Sequence, residues 1–146
     1  MKLIVISILY SLLIFFCSES KSSEDQNFVS LNAIEMNVER VDDNLFRWIK
    51  FHPESEYPCL RLELLTAGSN ALIKRKNICA VYDDELKITH DFKKVSFLDI
   101  YDLKTDSQTF SFELELSLLS QNVVTMNCSI NIDNTDFSLL VCKRSE

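Results

Sequence analysis

An all-β fold, a single antiparallel β-sandwich with two disulfide-stapled hairpins, is what this chain predicts, and three observations predict it. Phe110, Phe112, Leu114, Leu116 and Leu118 alternate with Ser111, Glu113, Glu115 and Ser117, the period of a strand with one dry face and one wet face. Two cysteine pairs bracket segments whose middles carry turn chemistry between strand-like flanks. The one stretch with helical spacing, Leu31 to Trp48, is broken at its centre by Asp42-Asp43-Asn44, three poor helix formers in a row.

The first twenty residues are set apart from this fold. Lys2 precedes an apolar run from Leu3 to Phe16 whose only polar interruptions are Ser7, Tyr10 and Ser11, the pattern of a secretory leader. The run is shorter than the roughly 20 residues that cross a bilayer, and it gives way to Ser18, Glu19, Ser20 and Lys21. Small residues at Ser18 and Ser20 place cleavage after Ser20, and the bulky Phe16 argues against lipoprotein processing at Cys17. The expected organisation is a signal peptide over 1–20 and one secreted, extracellular domain over 21–146, with no membrane span after cleavage. That length suffices for one core.

Charge excludes one class of partner. The chain carries −7 at neutral pH, and losing Lys2 with Glu19 leaves that value unchanged. Nucleic acid is therefore not expected, because phosphate binding needs a basic surface. A hydrophobic content of 47% also speaks against disorder.

Along the mature chain, Leu31 to Phe51 admits two readings. Leu31, Ile34, Val38, Val41, Leu45 and Trp48 suit one helix face, whereas Ile34, Met36 and Val38 alternate with Glu35, Asn37 and Glu39 as in a strand. The Asp42-Asp43-Asn44 turn favours strand, turn, strand. A loop from Pro53 to Pro58 follows. Further strands are expected around Leu86, Ile88 and Phe92, over Val95 to Tyr101, and from Phe110 to Leu118, with Asp106 to Gln108 separating the last two. Trp48 is expected in the core with Phe110, Phe112 and Leu114.

Without Cys17, four cysteines remain, Cys59, Cys79, Cys128 and Cys142, an even number in a short exported chain. Three connectivities are open, and local symmetry favours one. Asp133-Asn134-Thr135-Asp136 is a turn between strand-like Ser129 to Ile132 and Phe137 to Val141, so centring on Thr135 sets Cys128 opposite Cys142. Opposed residues of a non-hydrogen-bonded antiparallel pair sit roughly 4.5 Å apart, within reach of a disulfide. Cys59 and Cys79 repeat the pattern about Ser69, with Glu63 opposite Arg75. The turn between them, Thr66, Ala67, Gly68, Ser69 and Asn70, is the candidate binding loop, because an adjacent staple lowers its ordering cost.

From Phe28 to Leu119 the order of elements resembles a fibronectin type III or related immunoglobulin-like domain. Val41-Asp42-Asp43-Asn44-Leu45-Phe46-Arg47-Trp48 looks like that family's first turn and its tryptophan-bearing second strand. Leu103-Lys104-Thr105-Asp106-Ser107-Gln108-Thr109-Phe110 is similar to the corner before its sixth strand, with Thr105 for the proline and Phe110 for the tyrosine, so the hydroxyl-to-backbone bond of that corner cannot form. The likeness implies a sandwich with an adhesion or recognition role. A second likeness is to the cystatins, secreted inhibitors of cysteine proteases. Ala67-Gly68-Ser69-Asn70 and Cys128-Ser129-Ile130-Asn131-Ile132 resemble their two inhibitory segments, although Leu64-Leu65-Thr66 replaces the glutamine-valine motif and no proline-tryptophan pair follows Cys128. That reading requires the helix over Leu31 to Trp48.

No catalytic constellation emerges from the residues. His52 and His90 lack a second histidine at metal-ligand spacing and read as surface histidines. No serine sits in a nucleophile elbow, and one glycine cannot build a phosphate cradle. Asp83-Asp84-Glu85 lacks the alternating ligands of a calcium loop and reads as a solvated turn. Asn127-Cys128-Ser129 satisfies the glycosylation sequon. Lys74-Arg75-Lys76 reads as an edge strand protected by charge. No cofactor, no metal and no enzymatic activity is expected. The function that follows is recognition of an extracellular protein or glycan, with a cystatin-like inhibitor as the alternative and a small β-barrel carrier of an apolar ligand as a third.

Overall fold

The computed structural model describes residues 31–117 and 123–145. Residues 1–20, expected above to be a leader, with Cys17 and Ser20, and also Leu118, lie outside the described residues.

Every regular element among the described residues is a strand. Strands β1 (Ala33–Val41), β2 (Asn44–Phe51), β3 (Leu60–Thr66) and β4 (Leu72–Ile78) form one antiparallel sheet in that order. Strands β5 (Ala80–Asp83) and β6 (Ile88–Asp91) form a two-stranded ribbon. Strands β7 (Phe97–Asp106), β8 (Thr109–Ser117), β9 (Val123–Asn131) and β10 (Val141–Arg144) form the second sheet, ordered β10-β9-β8-β7. Each sheet is thus a meander of consecutive strands, unlike the interleaved order of an immunoglobulin sandwich. The correspondence to that architecture is at the level of packed antiparallel sheets.

The core lies between the sheets. Phe46, Trp48, Leu62 and Leu64 from the first sheet join Phe110, Phe112, Leu114, Met126 and Ile130 from the second. Phe46 and Phe110 pack edge to face with centroids 5.2 Å apart, and Trp48 lies 6.3 Å from Phe110. Each such side chain contributes about 1.5–3 kcal/mol through burial. The alternation expected for β8 is observed, with Phe110, Phe112, Leu114 and Leu116 buried.

The strand reading of the Leu31 to Phe51 segment holds, and the helical one does not. Val41 pairs with Asn44 across a two-residue turn, and Asp42 takes a φ of 51°, a left-handed conformation that aspartate tolerates better than most residues. The open edge of this sheet is guarded on the side facing the core, where Glu35, Asn37 and Glu39 share their side with Phe46 and Trp48. At the other edge Lys74 and Lys76 stand opposite Leu64 and Leu62. Inward-pointing charges of this kind block strand addition, in keeping with the edge role expected for Lys74-Arg75-Lys76.

The disulfides join Cys59 to Cys79 and Cys128 to Cys142, with Cα separations of 4.4 and 4.1 Å. Cys128 faces Cys142 in the β9–β10 register, and Glu63 faces Arg75 in β3–β4, the pairings that the two symmetry centres imply. Three expectations need correction. Phe137 to Val141 does not form one strand: Phe137 makes an isolated bridge to Ile132, and β10 starts only at Val141, because Ser138 N–H donates to the Asn131 carbonyl and Ser138 Oγ accepts the Asn131 N–H across the gap. The strand expected over Val95 to Tyr101 is β7, which starts at Phe97 and runs on to Asp106 through an irregularity between Tyr101 and Lys104, where Asp102 takes a φ of 50°. The strand expected around Leu86, Ile88 and Phe92 is β6, which covers only Ile88–Asp91 and leaves Leu86 in the preceding turn and Phe92 just past its end, because Asp83 accepts the Leu86 N–H and Phe92 N–H turns to the Cys79 carbonyl.

Candidate functional site

The sandwich has two ends, and they differ in chemistry. At one end the hairpin tips of both sheets meet. Asn44 Nδ2 donates to the Asn134 carbonyl at 2.8 Å, Gln108 Nε2 to Asp42 Oδ2 at 2.5 Å, and Lys74 pairs with Asp136 at 3.1 Å. The loop singled out by sequence, Thr66 to Asn70, belongs here. Its amides and hydroxyls satisfy one another: Thr66 N–H donates to the Ala71 carbonyl, Asn70 N–H to the Thr66 carbonyl, and Ala71 N–H to Thr66 Oγ1. Gly68 takes a φ of 98°, which any Cβ would strain. The loop is ordered by its own hydrogen bonds, and Gly68, Ser69 and Asn70 are exposed.

The opposite end holds a cleft of about 620 Å³, lined among others by His52, Glu54, Pro58, Phe92, Lys93 and Phe97. One wall is the β2–β3 connection, and the other is the β6–β7 connection. Pro53 and Pro58 keep the first wall out of the sheet because neither offers an N–H to a ladder. Its turn is closed by Ser55 N–H donating to the His52 carbonyl at 2.9 Å, and His52 Nδ1 accepts the Glu54 N–H at 3.2 Å. The Cys59–Cys79 disulfide lies at the base of both walls, and Phe92 N–H donates to the Cys79 carbonyl at 2.9 Å. Lys93 N–H caps Asp91 Oδ1 at 3.0 Å. The Lys93 ammonium then crosses to the other wall, 4.7 Å above the Tyr57 ring, a cation–π contact that ties the two connections together.

This cleft combines exposed Phe97 and buried Phe92 and Leu98 with Glu54, Glu56, Lys93 and His52. Its volume falls within the roughly 300–1,000 Å³ of ligand sites, and its lining is divided evenly between polar and apolar residues. Ser55 Oγ is buried in the wall without a hydrogen-bond partner. Sequence reading placed His52 correctly at the surface but did not bring it together with Phe92 and Phe97, which are forty and forty-five residues away along the chain.

A second cluster was also missed. His90 and Asp83, expected at the surface, are 3% and 1% exposed. Asp83 Oδ2 accepts from Arg144 Nη2 at 2.7 Å and Nε at 3.0 Å and lies 3.2 Å from His90 Nε2, while Oδ1 accepts the N–H groups of Glu85 and Leu86. Burial alone would raise the Asp83 carboxyl, but the bonds from Arg144, His90 and Leu86 outweigh it and hold the group well below the usual carboxylate range. The cluster fastens the β5–β6 ribbon to β10. Asp84 and Glu85 are exposed, as a solvated turn requires.

Asn127 is exposed on β9 and its Nδ2 donates to Ser145 Oγ at 2.8 Å, beside the disulfide-bonded Cys128. Among the described residues no helix is long and apolar enough to cross a membrane, and the helix required by the cystatin likeness is replaced by β1 and β2. Comparison with known proteins finds no matching family model, no similar curated protein and no similar solved structure.

Proposed function

We propose that this chain is a secreted, non-enzymatic recognition module that holds an extracellular protein or glycan in the cleft between the β2–β3 and β6–β7 connections. The observation that carries the reading is the cleft itself, a concavity of about 620 Å³ whose two walls share a disulfide at their base. Such a site is ordered before a ligand arrives, so less conformational entropy is lost on binding. The two disulfides suit an extracellular setting. Packed antiparallel sheets serve many functions, and the fold alone does not carry this one.

The test is a binding screen of the chain from residue 21 against arrayed extracellular glycans and purified extracellular proteins, run beside a Lys93→Glu, Phe97→Ser variant. Binding by the parent at least tenfold stronger than by the variant, at equal thermal stability, supports the reading. Equal binding by both removes it.

A further inference from the structure

We propose that the outer face of the β1–β4 sheet is a second interaction surface, and that it takes a protein segment presenting carboxylates among apolar side chains. The surface is separate from the cleft and its case is independent of that reading. Register places twelve residues on this face in three rows: Met36, Ile49, Arg61 and Asn77; Val38, Arg47, Glu63 and Arg75; Arg40, Leu45, Leu65 and Leu72. Four of the chain's five arginines stand here, in a protein of net charge −7, and no lysine does. The only carboxylate in the grid is Glu63, and it is spent internally: Oε2 accepts Arg47 Nε at 2.7 Å and Oε1 accepts Arg75 Nε at 2.8 Å, with the Glu63 side chain 1% exposed.

Arg40, Arg47 and Arg61 therefore lie on one diagonal, with steps of about 8 Å from the spacing of strands and of alternate residues along them; Arg47 is held by Glu63 at 12% side-chain exposure, so Arg40 and Arg61 are the cations that meet a partner. Met36, Val38, Leu45 and Leu72 flank the stripe as exposed or partly exposed apolar groups, while Ile49 and Leu65 between them are buried. Met36 and Val38 are about half exposed, at 53% and 45%. Arg61 stacks its guanidinium 4.9 Å above the Phe51 ring. Burial, Arg75 and Arg47 all disfavour its charge, with Glu63 opposing them.

This composition selects the occupant. Arginine and methionine are enriched and lysine and glutamate depleted at protein interfaces, and a guanidinium meets a carboxylate through two parallel bonds. A sulfated glycan would use the cations but not the apolar flanks. A second copy packed face to face would set arginine against arginine.

The experiment uses the chain from residue 21 and a synthetic twelve-residue peptide, four repeats of Glu-Leu-Ser, with its Gln-Leu-Ser counterpart and a heparin octasaccharide as controls. Arginine Nε–H resonances of Arg40, Arg47 and Arg61 and the amides of Met36 and Val38 are followed by NMR. The expected result is saturable shifts with the glutamate peptide, at least fivefold weaker with the glutamine peptide, and at least fivefold weaker again in Arg40→Gln, Arg61→Gln. That double variant leaves both partners of Glu63 in place. Equal response to both peptides, no response, or tighter binding of heparin overturns the proposal. So does a concentration-dependent dimer in sedimentation that the double variant abolishes, which would assign the face to a second copy.

Discussion

Removing the Asp83 carboxylate should loosen the β5–β6 ribbon in a way that acid titrates. In Asp83→Ala the 3%-exposed His90 loses the carboxylate beside its Nε2, and the N–H groups of Glu85 and Leu86 lose their acceptor. A fully buried donor left unpaired costs about 1–3 kcal/mol, and less where the group can turn to water. Glu85 and Leu86 are exposed residues, so the imidazole dominates and the sum is about 3 kcal/mol. Urea unfolding at pH 7 measures it directly. The pH dependence supplies a second check: the carboxyl is held below its ordinary range, so its contribution is complete above the unfolded value of about 4 and is lost as pH falls through the depressed folded value. The parent should therefore lose stability below about pH 4 faster than Asp83→Asn does. A variant within about 0.5 kcal/mol of the parent, the scatter of ordinary surface substitutions, or parallel acid slopes for both, would refute the reasoning.

Other perturbations have equally definite outcomes. Unreduced peptide mapping should link Cys59 with Cys79 and Cys128 with Cys142, and replacing either pair by alanine should cost about 2–4 kcal/mol in denaturant unfolding. Trp48→Ala should cost about 3–5 kcal/mol, whereas Trp48→Phe should cost less, because the indole Nε1 has no hydrogen-bond partner to lose. Native tryptophan emission should be that of a buried indole, and an emission maximum at the solvated wavelength would contradict the packing. Glu63→Ala, which strands Arg47 at 12% side-chain exposure, should destabilise by about 3–5 kcal/mol.

What sequence conveys here is whatever repeats at short range. The alternation through β8, the Asp42-Asp43 turn and the symmetry of both cysteine pairs are local, and each led to the observed element. Trp48 was placed in the core through the likeness of Val41 to Trp48 to a tryptophan-bearing second strand, and it is buried there. The extent of β7 was not legible, because β7 runs on to Asp106 through a register shift between Tyr101 and Lys104, where Asp102 takes a positive φ, and no local repeat marks that shift. His90 looks like any surface histidine until β10 brings Arg144 to Asp83, sixty-one residues away. The same holds for the cleft, whose walls come from residues 52–58 and 92–98, and for the arginine stripe, which exists only in the register of three strands. The candidate loop Thr66 to Asn70 was legible as a turn, but its position at the end opposite the cleft was not.

The claim that the cleft is the recognition site is tested most directly by mapping amide chemical shifts of the chain with and without a partner captured in the screen. Recognition there requires the largest changes at residues 52–58 and 92–98, with little change at Thr66 to Asn70. Changes concentrated at Thr66 to Asn70 and the neighbouring hairpin tips, with residues 92–98 unmoved, would contradict it.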